Sequence, residues 1–387
     1  MKRRLIIIAA TAALAAGACS SPQKAAAPEQ GAPVKVGLVY SQTGALASYG
    51  KQYIDSFKAG LSFSTGGTQK AGNRAIELIE ADDAGDPAKA VSAARDLIGK
   101  GAKILAGSTS SGVALQVAPV AAQNKVLFVS GPAATDGITG INRYTFRSGR
   151  QSYQDVLTAK SFIEAPQGKS VLVFAQDSAF GKANVDAVTA VIGSVGAKVT
   201  PLLVASSATE FTPFASQVKT AKPDLLFVAW AGTTASAMWQ SLDQQGILAS
   251  TKVVTGLDQK ASYPTFGLAG DKVSFLSHYF EGATDNAITK AASSAITGGL
   301  DIFSPDGFNA AQMIVQAIKQ GGDDVEKMIT ALEGWSFDGM KGKMTIRKED
   351  HAMLQPMFQV KLAGGKPQLI KEIAPDQVAP PAVAMKS

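Results

Sequence analysis

The sequence predicts an α/β protein built from two doubly wound lobes of similar size. Short apolar runs rich in β-branched residues alternate with amphipathic segments along most of the chain, and the alternation restarts after residues 144–147. Near-continuous apolar strands separated by helices indicate parallel sheets that are covered on both faces. An apolar fraction of 46% with only 18% charged residues fits such a well-packed body.

The first lobe is predicted from the apolar runs that precede residue 131. VKVGLVY at 34–40 begins the series, and helical segments with one apolar face separate the later runs. The predicted strands are 34–40, 75–81, 102–107 and 125–130, and the predicted helices are 49–63, 87–98 and 112–123.

The second lobe repeats this pattern, and the elements after residue 272 complete both lobes. Several strands then cross between the lobes and form a hinge. We expect the first lobe to comprise 34–146 plus 278–345 and the second to comprise 147–277 plus 346–374. The predicted strands are 170–176, 197–204, 224–230, 252–256, 272–280, 356–363 and 367–373, and the predicted helices are 151–163, 180–192, 211–220, 233–245, 287–297, 306–320 and 323–333.

The N-terminus predicts export. Basic residues at 2–4 precede an apolar run from Leu5 to Ala16 and the small residues at 16–18, so we expect a signal peptide at 1–18. Cys19, the single cysteine, then stands at the position that is lipidated in bacterial lipoproteins. Ordinary signal cleavage at the same bond is the alternative, and it would release the chain into the periplasm. The apolar run is too short for a membrane span, which needs about 20 residues.

Two polar segments flank the predicted body. Residues 19–33 are mostly Ala, Pro, Gln and Ser and bury too little surface to offset their ordering entropy, so we expect a flexible linker. Residues 375–387 have similar composition, and we expect this tail to be loosely draped.

Composition excludes several classes of function. The net charge of +6 includes three residues of the predicted leader, which leaves +3 and no basic cluster for nucleic acid. His278 and His351 are the two histidines, far apart and without carboxylates at metal-ligand spacing, so no zinc or hydrolytic site is expected. GSTSSG at 107–112 is followed by Val113 and Ala114 where a P-loop needs Lys and Ser or Thr. We therefore expect neither an enzyme nor a cofactor.

Small hydroxyl residues and an aromatic follow the predicted strands, at the sheet edge where open α/β sheets bind ligands. Small residues let backbone N–H groups at helix N-termini approach an anion, so we expect the ligand to carry a carboxylate. Helix capping, turn formation or core packing are the alternatives for each position. The candidates are Tyr49, Ser110, Ser111, Ala133, Ala134, Thr135 and Asp258.

The segments at these turns resemble a known family. TGALASYG, EADDAGDPAKAVSAARDLI, GSTSSG and VSGPAATD are similar to the corresponding segments of the branched-chain amino-acid (Leu/Ile/Val) binding proteins. Those are type I periplasmic solute-binding proteins of ABC importers, and the similarity covers 34–374. The resemblance implies two Rossmann-like lobes joined by a three-crossover hinge that close on a ligand.

The resemblance also implies roles for individual residues. Ser111, Ala133 and Thr135 match the positions that hold the ligand's carboxylate. Tyr49 matches the aromatic residue that packs on the ligand, and Asp258 matches the acidic partner of its α-ammonium.

The sequence departs from the family at the wall that contacts the ligand's side chain. Trp230, Thr233 and Thr234 stand where the branched-chain members carry tyrosines, and Phe180 is the counterpart of another aromatic residue. Trp230 has core packing as its alternative, and its bulk favours a flat ligand. Outside this wall, Arg147 and Arg150 are expected to support the hinge rather than to contact an anion, and residues 82–83 to cap or brace the turn before Pro87.

These observations predict a membrane-tethered solute-binding protein in the periplasm that delivers a small carboxylate-bearing molecule to an ABC permease. An amino acid is the first expectation and an aromatic acid the second, with Asp258 deciding between them because a buried ammonium needs a charged partner. A ligand-sensing module of a signalling system is the alternative function.

Overall fold

The computed structural model describes residues 31–386, so the predicted signal peptide, Cys19 and most of the linker lie outside the described residues. The strands are β1 (Gly31–Tyr40), β2 (Lys70–Ala71), β3 (Arg74–Asp82), β4 (Ile104–Gly107), β5 (Leu127–Ser130), β6 (Thr145–Arg147), β7 (Ser170–Asp177), β8 (Lys198–Ala205), β9 (Leu225–Ala229), β10 (Val253–Gly256), β11 (Val273–Ser277), β12 (Ser336–Gly339), β13 (Gly342–Ile346), β14 (Met353–Leu354), β15 (Met357–Ala363) and β16 (Lys366–Ile373). The helices are α1 (Ala47–Ser64), α2 (Pro87–Gly99), α3 (Ser111–Gln123), α4 (Ser152–Ala159), α5 (Ala179–Val191), α6 (Thr212–Ala221), α7 (Ala235–Gln244), α8 (Ile247–Ser250), α9 (Ala287–Ala295), α10 (Ser304–Gly321) and α11 (Val325–Leu332).

The first lobe is a doubly wound sheet with strand order β2-β3-β1-β4-β5-β6, parallel except for β2. Alternation along β1 directs Val36 and Leu38 toward the core shared with α1, α10 and α11, and Val39 toward α2 and α3. Both faces of the sheet are therefore covered, as the near-continuous apolar strands predict.

The second lobe has strand order β16-β15-β11-β10-β9-β7-β8. Strands β7 to β11 run parallel to one another, β15 runs antiparallel to β11, and β16 runs antiparallel to β15. Helices α6, α7 and α8 cover one face, and α4 and α5 cover the other. Over the described residues the chain passes between the two large sheets three times, after β6, after β11 and after β14. The predicted fold class, two Rossmann-like lobes with a three-crossover hinge, is confirmed.

A third, smaller sheet was not foreseen by the sequence pattern. Strands β12, β13 and β14 form it, and its buried residues Ile346 and Met353 pack in the core of the first lobe. These strands span five residues or fewer, too short to show a period of two. We propose that the lobe boundary expected at 345/346 lies instead at 355/356, between β14 and β15.

Residues 375–386 were expected to be loosely draped, but they contact both lobes. Val378 is fully buried against Met357 and Ile373 of the second lobe. Farther along, Val383 N donates to Asp350 Oδ2 at 3.1 Å, and Lys386 N donates to the Gly140 carbonyl of the first lobe at 2.8 Å. Backbone hydrogen bonding therefore fixes a segment whose own composition offers little apolar surface.

None of the described helices is both long enough and apolar enough to cross a membrane.

The contact between α1 and α10 depends on glycine. A Cβ at Gly307 would collide with the Tyr53 carbonyl and lie 2.8 Å from Phe57 N. We predict that Gly307→Ala lowers the free energy of unfolding by about 3 kcal/mol, because the backbone atoms it meets cannot rotate away. Gly99→Ala is the matched control, since nothing lies within 4 Å of its Cβ. Urea unfolding measures both, and equal stability of the two variants would contradict this packing argument.

Candidate functional site

A cavity of about 550 Å³ lies between the lobes, at the carboxyl ends of the parallel strands of both sheets. Open α/β sheets bind ligands at this edge because helix N-termini and loop backbone groups converge there. Eight of the ten predicted ligand-binding residues line the cavity, and Ala133 and Thr135 do not. The eight are Tyr49, Ser110, Ser111, Ala134, Phe180, Trp230, Thr233 and Asp258.

Ser111 and Thr135 lie side by side, although only Ser111 lines the cavity. The amide of Thr135 donates to Ser111 Oγ at 3.2 Å, and Thr135 Oγ1 accepts from Gly137 N at 3.2 Å. Ala133 is fully buried with Ala114 and Ile138. The second and third turns of the first lobe thus meet at one end of the cavity, while the ligand contacts assigned to Ala133 and Thr135 stay predictions.

The N-terminus of α3 faces the cavity through Ser110, Ser111 and Gly112. The Ser110 side chain makes no hydrogen bond to cap the helix. The positive end of the helix dipole therefore attracts a negatively charged ligand group at the end of the cavity where α3 begins.

Tyr49 connects the two lobes. Its hydroxyl donates to Asp258 Oδ1 at 2.6 Å and accepts from Gly232 N at 3.4 Å, and both partners belong to the second lobe. Burial, and next the Asp258 carboxylate, raise the pKa of the Tyr49 hydroxyl well above its ordinary value, which keeps it a donor. One helical turn on, Gln52 Nε2 donates to Gln259 Oε1 at 3.1 Å. These contacts form a polar seam along one rim of the cavity.

Trp230 packs in the core of the second lobe and also lines the cavity. Its ring packs edge-on against Phe211, with centroids 5.0 Å apart, in the core of the second lobe. The same side chain lines the cavity, and its Nε1 donates to Thr234 Oγ1 at 3.0 Å. Phe180 and Phe303 add further aromatic surface to the cavity wall.

The two arginines of the first crossover have different positions. Arg147 is fully buried and donates to the carbonyls of Ala133 at 2.9 Å, Thr135 at 3.2 Å and Arg150 at 2.9 Å. It supports the hinge and the third turn, as expected. Arg150 lines the cavity, so its predicted role in hinge support alone is incomplete.

The hinge end of the cavity contains charged groups that the sequence motifs did not reveal. Asp155 and His278 line the cavity beside Arg150, and Asp306 lies behind them with Oδ2 3.8 Å from His278 Nε2. Burial raises the pKa of Asp306 to about 7 and lowers that of Lys341 to about 7. Burial, with Arg150 and Lys341 nearby, lowers the pKa of His278 well below its usual value, so this ring is neutral.

Two carboxylates brace the turn before Pro87, as predicted, since Ala84 N donates to Asp82 Oδ1 and Gly85 N donates to Asp83 Oδ1. The Thr43 hydroxyl donates to Asp82 Oδ2, and Ala84 N and Gln42 N each donate to Oδ1 at 2.8 Å. These hydrogen bonds, the one from Thr43 first, lower the pKa of Asp82 to about 2. Asp83 Oδ1 accepts from Ser41 Oγ at 2.7 Å. Ala84 is thereby fixed at the cavity wall.

Within residues 31–386, no group of three or more His, Cys, Asp or Glu side chains is arranged to hold a metal ion.

The fold and the cavity between its lobes define a binding protein, and comparison with known proteins identifies the family. The family model described as "Periplasmic binding protein" matches residues 33–366. The chain belongs to the type I periplasmic binding proteins of the branched-chain amino-acid family. The members to which it is similar are binding proteins and not enzymes, and the family implies a location in the periplasm.

Individual relatives cover nearly the whole chain. The Leu/Ile/Val-binding protein BraC3 of Rhizobium johnstonii is 26% identical over 353 residues, which are 88% of this chain and 94% of the relative. A crystal structure from Rhodopseudomonas palustris, described as an ABC-type branched-chain amino acid transporter, is 31% identical with a TM-score of 0.74 and covers 91% of this chain and 100% of its own. A solute-binding protein from R. palustris in complex with 4-hydroxybenzoate shares the fold at 21% identity, with a TM-score of 0.81 and coverage of 88% and 97%.

The polar seam between the lobes yields a prediction for Tyr49→Phe. Removal of the hydrogen bond to Asp258 destabilises the closed form relative to the open form by about 1.5 kcal/mol, because this bond joins the lobes and has a charged acceptor. We expect a larger radius of gyration without ligand by small-angle X-ray scattering, and about tenfold weaker ligand binding by calorimetry.

Tyr53→Phe is the control for this experiment, since Tyr53 is buried within the first lobe one turn farther along α1. A Tyr49→Phe protein with the scattering curve and affinity of the Tyr53→Phe protein would show that the seam does not stabilise the closed form.

Proposed function

We propose that this chain is the solute-binding lipoprotein of an ABC importer. It holds a small carboxylate-bearing ligand in the cavity between its lobes and delivers that ligand to the permease. The observation that carries the proposal is the cavity itself, in which Ser111 and the α3 N-terminus of one lobe face Asp258 of the other.

The first lobe supplies the groups for a carboxylate. Ser111 Oγ accepts from the Thr135 amide at 3.2 Å and lines the cavity, so the Ser111 hydroxyl is placed to donate to an oxygen of the ligand. The helix dipole of α3 stabilises the negative charge, and its effect is strongest within the first turn.

The second lobe supplies the group for an ammonium. Asp258 lines the cavity, and a buried ammonium requires such a charged partner to offset its desolvation. This placement favours an amino acid over a simple organic acid.

An aromatic acid is the second candidate ligand. Trp230, Phe180 and Phe303 give the cavity an aromatic wall, and Tyr49 already donates to the carboxylate of Asp258. A flat ring gains from offset or edge-on packing against such a wall beyond its buried area. The two candidates differ in whether the ligand carries an ammonium, so a ligand screen separates them.

Ligand binding drives transport through a shift in the open–closed equilibrium. Because the ligand contacts both lobes in the closed form and only one in the open form, its affinity differs between the two states. The permease then distinguishes the loaded protein by the closed arrangement of the lobes.

A thermal-shift screen of amino acids and aromatic acids identifies the ligand, because a molecule that binds the native state raises the melting temperature. We predict that Ser111→Ala weakens the best acid by about tenfold or more, since a hydrogen bond to a charged group contributes about 1.5–3 kcal/mol. Thr189→Ala, at an exposed position of α5, is the control and keeps wild-type affinity. Wild-type affinity in Ser111→Ala, measured by calorimetry, would refute the carboxylate assignment.

The membrane anchor is tested at Cys19. We predict that the full chain incorporates labelled palmitate and sediments with membranes, and that Cys19→Ser abolishes both, because the thiol is the attachment point of the lipid. Ser20→Ala is the control and stays labelled. Recovery of the unlabelled wild-type chain in the soluble periplasmic fraction would favour ordinary signal cleavage instead.

A further inference from the structure

We propose that Arg150 is a charged anchor for the carboxylate of the ligand, at the hinge end of the cavity. This inference rests on the proposed function and adds a cation to a carboxylate site otherwise made of neutral groups.

The backbone places Arg150 beside the turn that the carboxylate is expected to meet. Arg150 Nη1 donates to the Pro132 carbonyl at 2.8 Å, and both Pro132 and Ala134 line the cavity. The third turn continues from there to Thr135, whose amide donates to Ser111 Oγ. The same turn therefore carries the hydrogen-bond partner of Arg150 and that of Ser111, and both of these side chains line the cavity.

Arg150 is also incompletely satisfied within the protein. Its side chain is 10% exposed, and its Nε lies 3.3 Å from Asp155 Oδ2 without forming a hydrogen bond. Asp155 Oδ1 has no hydrogen-bond partner among the described residues either. Arg147 Nε also has no hydrogen-bond partner among the described residues, but its terminal nitrogens donate to three carbonyls and to Thr139 Oγ1, whereas the Arg150 guanidinium donates to the Pro132 carbonyl. Burial of a charged group with incomplete hydrogen bonding destabilises the protein, so the cavity favours a ligand that pairs with Arg150.

Arg150 is the cationic side chain that the cavity offers to a carboxylate, and Asp258, on the second lobe, is the other lobe's carboxylate. Within residues 31–386, Arg150 is the only lysine or arginine that lines the cavity, and His278 beside it is neutral. A carboxylate buried with neutral donors alone bears much of its desolvation cost, whereas arginine binds carboxylates through charge-assisted hydrogen bonds.

Asp155 acts as the counter-ion of Arg150 when no ligand is bound. The ligand's carboxylate then competes with Asp155 for the same guanidinium, so the two carboxylates have opposite effects on affinity. Because Arg150 lies on the first crossover and Asp155 on α4, this exchange takes place at the hinge.

The test compares acids with their uncharged amides by calorimetry. The probes are L-leucine with L-leucinamide and 4-hydroxybenzoate with 4-hydroxybenzamide. We expect the wild-type protein to prefer the acid of the better pair by 100-fold or more, Arg150→Gln to reduce this preference to below tenfold, and Arg150→Lys to keep an intermediate preference. Arg143→Gln, which removes an exposed arginine paired with Glu326, is the control and keeps the full preference.

A second variant keeps the proposal open to refutation if Arg150→Gln does not fold. Asp155→Asn removes the competitor, and we expect it to bind the acid at least threefold more tightly with the amide unchanged. An unaltered preference in Arg150→Gln, or unaltered acid affinity in Asp155→Asn, would overturn the role of Arg150 and leave the proposed function intact. A wild-type protein that binds acid and amide equally, or binds none of the four probes, would refute the proposed ligand class together with this anchor.

Discussion

The guanidinium of Arg147 holds together the parts on which the cavity depends. Buried where β6 ends, it binds the carbonyls of Ala133, Thr135 and Arg150, and so ties the third turn of the first lobe to the first crossover. Burial lowers its pKa to about 10, so the group stays charged at physiological pH. Its hydrogen bonds fix the backbone that carries Ser111's partner on one side and Arg150 on the other.

Closure of the lobes uses polar contacts of modest strength. The seam around Tyr49 and Asp258 is made of hydrogen bonds, each of which contributes about 0.5–3 kcal/mol net. Under the proposed function, a ligand that bridges both lobes would shift the equilibrium toward the closed form by the difference between its affinities for the closed and open forms. A large apolar interface between the lobes would stabilise closure without a ligand and defeat this function.

The candidate site was predictable where local sequence determines it. Ser110 and Ser111 follow a buried strand of the first lobe and Asp258 follows a strand of the second, so the α/β pattern places each at the carboxyl edge of its own sheet. Arg150, Asp155 and His278 carry no such signal. Arg150 lies on the first crossover, Asp155 lies on the helix α4 that follows it, and His278 lies at the start of the second crossover. Thr135 shows the opposite case, since its turn was located correctly while its hydroxyl accepts from Gly137 N.

The sequence by itself determined the two α/β lobes, the strand ends that face each other, and the family, because apolar periodicity and turn chemistry are local properties. Only the tertiary structure decided which polar groups meet at the hinge end of the cavity and where the third crossover lies. It also decided that the C-terminal segment contacts both lobes. Those features depend on contacts between residues more than a hundred positions apart, such as Tyr49 with Asp258 and Gly140 with Lys386. Packing in three dimensions, and not the pattern along the chain, selects them.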